Sequence, residues 1–240
     1  MANLEAASVG WSRTRRILDT LATLSVIVAA TAVTSLAIRS YVNEVPRAGA
    51  PASSVVPVPK EPQKIENAVV VGSDSARVVL IAYSDFQCPY CAGFARDTLP
   101  ALRTEYFDKK KVKMVFKHLP LPFHSRARRA AEAAECAARQ GRFLEMHDRL
   151  FDRPSELSEA GLVSLANEAG LDRSTFERCM GGETSAIVES NAADARALSI
   201  VGTPTFLLGQ VQKDGRVAVK LVLTGAQPVE AFRKAINALL

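Results

Sequence analysis

The stretch "VVLIAYSDFQCPYCAGF", residues 78–94, constrains the fold more than any other part of the chain. Its first six residues are continuously apolar and rich in β-branched side chains, which predicts a strand buried on both faces. That strand runs straight into Asp85-Phe86-Gln87-Cys88. Residues 92–107 then place Phe94, Leu99, Leu102 and Phe107 at helical spacing, with Pro100 expected to kink the helix. "VKMVFKHL", 112–119, sets Val112, Met114 and Phe116 against Lys113, Val115 and Lys117 and predicts the next strand. Strand, helix, strand is a βαβ unit. It puts Cys88-Pro89-Tyr90-Cys91 at the junction where the first strand turns into the helix.

That placement has a chemical consequence. Unpaired N–H groups and the helix dipole favour an anion at a helix N-terminus. A Cys88 thiolate is therefore stabilised, with a pKa expected somewhere in the range of about 3.5–7.5. Cys91, one turn on, points inward. Pro89 donates no hydrogen bond and suits a first helical turn. The pair has three readings. A structural zinc site needs four ligands. The other candidates are Cys136, Cys179, His118, His124 and His147, none in a second CxxC or at HxxxH spacing. A purely structural bridge closes so short a loop that it stabilises little. The third reading, a working redox pair, fits the helix-start placement and calls for neither a metal nor a cofactor.

The compartment bears on that choice. Leu21–Ile38 is 18 residues without a charge, a helix of about 27 Å, just enough to cross a bilayer core. Arg13, Arg15 and Arg16 precede it and favour a cytoplasmic N-terminus. This predicts a cytoplasmic stretch at 1–16 and a transmembrane anchor at 17–38. A cleaved signal peptide is the competing reading, since Ala48-Gly49-Ala50 has small residues at cleavage spacing. Pro51 directly after that site and the length of the apolar run favour the uncleaved anchor. A buried cytosolic helix is the third reading, and the absence of a polar face argues against it. Residues 39–64 carry five prolines with Ala, Ser and Val, and read as a semi-extended spacer. The folded domain is expected over 65–240.

Charge excludes little. The whole chain is +5, with +3 of it in residues 1–64, so the domain is near neutral. The runs Lys109-Lys110-Lys111 and Arg126-Ala127-Arg128-Arg129 have no interleaved aromatics and read as solvated surface rather than a nucleic-acid footprint. "AVVVG", residues 68–72, predicts another strand. Residues 125–199 read as wholly helical, with stripes that need no cofactor to explain them. "IVGTPTFLLG", 200–209, then opens a strand at Thr205. Lys213-Asp214-Gly215 predicts a hairpin turn to a partner over 217–223, and a helix runs from Pro228 to the end.

Phe86-Gln87-Cys88-Pro89-Tyr90-Cys91, the helical stretch that follows it, and Gly202-Thr203-Pro204-Thr205-Phe206 together resemble the DsbA-like branch of the thioredoxin superfamily. "AAECAARQGRFLEMHDRLF" (133–151) and "LTGAQPVEAF" (223–232) are similar to it as well. The resemblance covers about residues 66–240. It implies an α/β chain with a thioredoxin fold and an inserted all-helical domain at about 124–199. It implies a cis Pro204 facing the cysteine pair. From residue statistics alone an X–Pro bond would be presumed trans, since cis occurs in about 5–6% of cases. Thr203 would then offer its backbone to an extended substrate segment, with Pro89 and Tyr90 tuning the pair. A proline that merely opens a strand is the plainer alternative.

Cys136 and Cys179 lie in predicted helices, and in an exported chain a disulfide between them is favoured over two separately buried thiols. The expected activity is extracytoplasmic thiol–disulfide exchange by Cys88 and Cys91, in the disulfide-forming direction. The partners would be thiol-bearing exported proteins and a membrane protein that resets the pair. The alternatives are a reductase or isomerase of the same fold, or a tethered peptide-binding module without chemistry. No role falls to His118, His124 or His147.

Overall fold

The computed structural model describes residues 56–240. The expected cytoplasmic stretch and anchor, 1–38, lie outside the described residues. Among the described residues, 56–240, no helix is long and apolar enough to cross a membrane.

Five strands form one mixed sheet in the order β1-β3-β2-β4-β5. They are β1 (Val69–Gly72), β2 (Val78–Ser84), β3 (Val112–His118), β4 (Thr205–Val211) and β5 (Val217–Thr224). β2 and β3 are parallel, joined by the helical crossover that carries the cysteine pair, and the other pairings are antiparallel. β2 is central and buried at every position. Its Leu80 and Ala82 face one apolar layer, and its Val79, Ile81 and Tyr83 face the other. Burial of each large aliphatic side chain there stabilises the fold by about 1.5–3 kcal/mol. The alternation in β3 suggests one wet face, yet Lys113 and Lys117 are buried with the rest. Lys113 Nζ reaches the Asp74 carbonyl, and Lys117 Nζ pairs with the Asp194 carboxylate from a neighbouring helix.

The crossover does not break at Pro100. It runs as α1 (Pro89–Gly93), a π-helical turn Phe94–Thr98, α2 (Leu99–Leu102) and a second π-helical turn Arg103–Phe107. Pro100 lacks the N–H that a regular helix would direct at residue 96, and the wider π turn before it absorbs the mismatch. Phe94 packs on Phe206 of β4 at 4.5 Å between centroids and on Phe232 at 5.3 Å. These rings clamp the start of the crossover and the C-terminal helix α8 (Val229–Asn237) to β4, the strand that follows Pro204.

Between β3 and β4 lie α3 (Ala127–Arg139), α4 (Phe143–Asp152), α5 (Glu159–Glu168), α6 (Arg173–Cys179) and α7 (Ser185–Ala197). They share one apolar core with the sheet, and the described residues belong to a single compact unit. The helical stretch is thus a layer of the domain, with no core of its own. Cys136 of α3 and Cys179 of α6 are joined by a disulfide.

The domain also starts earlier than residue 65. Val56 is buried in the same apolar cluster as Val79, Ile81 and Val217, and Gln63 exchanges two 2.8 Å backbone hydrogen bonds with Val217 on the sheet edge. Residues 56–64, expected in the spacer, are therefore fastened to the fold. An unpaired strand edge offers free N–H and C=O groups, and a proline-rich segment can use them wherever a non-proline residue falls in register.

Candidate functional site

Cys88 caps the N-terminus of α1 in an extended conformation (φ −77°, ψ 119°), with Pro89 as the first helical residue. Its N–H donates to the Asp85 carbonyl at 3.1 Å, and its carbonyl accepts from Ala92 N–H at 3.1 Å. Asp85 is the anchor of this turn. Its side chain is buried and accepts from Gln87 N–H at 2.7 Å, Leu121 N–H at 2.8 Å and His124 Nδ1 at 2.8 Å. Gln87 Oε1 in turn accepts from Arg126 N–H at 2.5 Å. One buried carboxylate thus ties the cysteine turn to the β3–α3 loop. That loop exposes Phe123, and the cysteine turn exposes Tyr90.

The Thr203–Pro204 peptide is cis. It brings the Thr203 carbonyl to 3.3 Å from Cys88 Sγ, whose thiol proton it accepts. Pro204 is buried and its carbonyl accepts from Gly225 N–H at 2.8 Å, which holds the loop against the end of β5. The Thr203 hydroxyl is buried and has no hydrogen-bond partner in this dithiol state. Cys88, Cys91, Pro89, Tyr90, Thr203 and Pro204 therefore lie in one place, while Cys136 and Cys179 sit apart in the helical layer.

Both cysteines of the pair are free thiols, and their electrostatics differ. The Cys88 pKa is lowered to about 6. The largest cause is the Cys91 thiol, which donates to the Cys88 thiolate. Burial opposes it, and the Thr203 hydroxyl, which has no other partner to hold it from a Cys88 thiolate, and the backbone N–H groups of Cys91 and Tyr90 add to the stabilisation. Cys91 moves the other way, well up, because it is buried and because a Cys88 thiolate beside it opposes a second negative charge. The Ser84 hydroxyl and the Asp85 backbone N–H are the hydrogen-bonding groups at its sulfur. The geometry gives one ready thiolate and one protonated reserve.

The three histidines, which carry no motif in the sequence, are all held in specific pairings. His124 holds Asp85. His118 Nε2 lies 2.9 Å from Glu135 Oε1, both buried. His147 is buried among Phe86, Phe116, Phe143 and Phe151, with Nδ1 at 2.8 Å from Asp148. Nothing local marks these pairings except that an Asp directly follows the central strand. The other two cysteine candidates for a zinc set are bonded to each other. Among the described residues no three His, Cys, Asp or Glu side chains are grouped as metal ligands would be.

The model of the thioredoxin family matches residues 64–238. Solved structures with the same fold include Bacillus subtilis BdbD in its oxidised form, at 24% identity and a TM-score of 0.62, covering 74% of this chain and 95% of that one. Wolbachia pipientis α-DsbA1 matches at 22% identity and a TM-score of 0.63, covering 74% and 92%. A thioredoxin-like oxidoreductase from Silicibacter pomeroyi matches at 26% identity and a TM-score of 0.59, covering 72% and 92%. Among curated proteins, a Na(+)/H(+) antiporter NhaA 3 of Salinispora tropica is 37% identical over 180 residues, 74% of this chain and 26% of that protein. The chain thus spans about a quarter of that relative's length. With its fold, its cysteine turn and the family match over residues 64–238 together, the chain belongs to the thioredoxin family.

Proposed function

We propose that this thiol–disulfide oxidoreductase is a disulfide-forming oxidase, acting on exported proteins from a membrane tether. The observation that carries the direction is the stabilised Cys88 thiolate. Only the reduced state contains that thiolate, so whatever stabilises it favours reduction of the pair and hence oxidation of the partner. A substrate thiolate attacks Cys88 Sγ of the Cys88–Cys91 disulfide, and Cys91 leaves. A second substrate thiol then attacks the substrate sulfur of the mixed disulfide. The products are a substrate disulfide and the reduced pair. Thr203 and Pro204 supply the flat, donor-poor wall beside Cys88 along which an extended substrate backbone can lie.

The test is the equilibrium of the full chain with glutathione redox buffers. An oxidase should show a potential well above the glutathione couple, nearer the about −120 mV of a strong oxidant than the about −270 mV of thioredoxin. A value near the latter would make the chain a reductase. A pair that exchanges with no thiol would leave only a peptide-binding role.

The tether reading rests on the 18 uncharged residues from Leu21 and the arginines before them. It requires that the native protein stay with washed membranes and retain residues 1–16. A soluble mature chain starting after Ala50 would replace the anchor by a signal peptide.

A further inference from the structure

We propose that Phe123 determines which substrates react, by binding a large apolar side chain close to the thiol that attacks Cys88, and that His124 and Asp85 are the positioning residues that hold Phe123 there. This deepens the exchange chemistry proposed above and rests on it.

The first observation is how exposed apolar surface is distributed. Among the described residues six large apolar side chains are exposed, and three of them are Tyr90, Phe123 and Val201. Tyr90 lies inside the cysteine turn, Phe123 directly precedes His124, and Val201 stands two residues before Thr203. Single exposed apolar side chains are ordinary, whereas a group of them marks a contact surface. Phe123 is the most exposed of the six, at 76%.

The second observation is where the sheet order puts them. β2 stands between β3 and β4. Ser84, the last residue of β2, is beside His118, the last of β3, and Tyr83 is beside Thr205, the first of β4. The cysteine turn therefore leaves β2 with the β3–α3 loop on one flank and the Thr203–Pro204 loop on the other. An extended segment laid along Pro204 with its thiol at Cys88 continues toward the Phe123 flank.

The third observation is that this exposed ring is held. Leu119-Pro120-Leu121-Pro122-Phe123 carries two prolines of fixed φ. Leu121 N–H donates to Asp85 Oδ2 at 2.8 Å, and His124 N–H donates to the Leu121 carbonyl at 2.9 Å. His124 Nδ1 lies 2.8 Å from the same Asp85 oxygen. A carboxylate only accepts, so Nδ1 carries the proton of that bond, as it does in a neutral ring. The His124 and Phe123 rings meet edge to face with centroids 4.6 Å apart. Asp85 is fixed to the cysteine turn, its side chain accepting from Gln87 N–H at 2.7 Å and its carbonyl from Cys88 N–H at 3.1 Å. Every link from Phe123 to Cys88 is thus a contact, and none requires a change of charge.

The chemistry of the occupant follows from what a thiol substrate is. A chain that has not finished folding keeps apolar side chains outside a core. A ring fixed beside Cys88 can bury one of them at the moment of exchange. Holding the ring beforehand reduces the freedom lost when the substrate docks.

The test uses the oxidised full chain and two peptides, identical except for leucine or serine at the two positions on each side of a single cysteine. The measurement is the rate at which the Cys88–Cys91 disulfide opens under excess peptide, divided by the concentration of peptide thiolate. The wild type should react about tenfold faster with the leucine peptide, a difference of about 1.4 kcal/mol in the barrier. Phe123→Ser should bring that ratio to about twofold, the remainder coming from Tyr90 and Val201. His124→Ala keeps Phe123 but unties its loop, and should lower the ratio to about threefold. His124→Asn, whose amide nitrogen takes the place of Nδ1 at Asp85, should stand clearly above His124→Ala. A ratio that stays near tenfold in Phe123→Ser would overturn the proposal. A His124→Ala chain that melts earlier yet keeps the full ratio would make the tie to Asp85 structural and overturn the positioning role, as would His124→Asn no better than His124→Ala. Should His124→Ala fail to fold, Phe123→Ser carries the test, because its ring is exposed. A wild-type chain that takes both peptides equally would overturn this proposal alone, and one that exchanges with no thiol would overturn the oxidoreductase reading as well.

Discussion

Cys88→Ser should reduce disulfide exchange by the full chain to the rate of protein-free buffer, and Cys91→Ala should instead trap a stable mixed disulfide with a substrate. The two outcomes differ because the two sulfurs sit in different fields. Cys88 has backbone N–H groups and the Cys91 thiol turned toward it, and its pKa is lowered to about 6. Cys91 is buried and shifted upward. Iodoacetamide should therefore label Cys88 of the reduced chain at a rate that is flat above about pH 6 and falls tenfold per unit below it, while Cys91 stays unlabelled. Preferential labelling of Cys91 would reverse the assignment.

The same shift has a stability sign. A thiol whose folded pKa is depressed contributes stability that is fully present above its ordinary value and lost as pH falls through its folded value. The oxidised chain has no such thiolate. The melting temperature of the reduced form should rise relative to the oxidised form between about pH 6 and 8, and the difference should stop changing below about pH 5. A difference independent of pH across that window would mean that Cys88 is not ionised in it.

The second large effect concerns the disulfide between α3 and α6. Cys136→Ala with Cys179→Ala should destabilise the domain by about 2–5 kcal/mol, the usual cost of losing a native disulfide. The sequence separation is 43, and the chain-entropy estimate for such a loop is about 4 kcal/mol. Both sulfurs also lie in the main apolar core, so truncation leaves small cavities there. Thermal or urea unfolding of the double variant measures the loss. Neither residue lies at the cysteine turn, so exchange by the folded variant should stay within about threefold of the wild type, and mild reductant should open Cys88–Cys91 first. A stable variant that oxidises substrate once and cannot be reset would instead make the bridge an electron relay. Free thiols at both positions in protein prepared without reductant would remove the bridge altogether.

Elements whose signal is local are legible in the sequence. Val78–Tyr83 reads as a central strand because six consecutive apolar residues are best hidden between two layers. Residues 125–199 read as helical because apolar side chains recur there at helical spacing. The cysteine turn is contained in ten residues, and the depressed Cys88 pKa follows in direction from its place at a helix start. Its main cause does not follow, since the Cys91 thiol contributes more than the helix backbone. At Pro100 the local rules name the missing hydrogen bond and predict a kink. The π turn that absorbs the mismatch lies outside them.

What only tertiary structure decided is who partners whom. Asp85 with His124, Lys117 with Asp194 and His118 with Glu135 are separated by 39, 77 and 17 positions. No periodicity couples them; they meet because the sheet order sets β3 beside β2 and folds the helical layer over both. Lysines at 113 and 117 look solvent-facing in the sequence and become buried in the fold, Lys117 beneath α7. Val56 and Gln63 look like spacer until a free edge at β5 gives their backbone and side chains somewhere to bind. The sequence by itself determined the elements and the reactive turn, because both follow from neighbours along the chain. The buried polar pairs beneath that turn depend on long-range register, and burial is what gives them their energy.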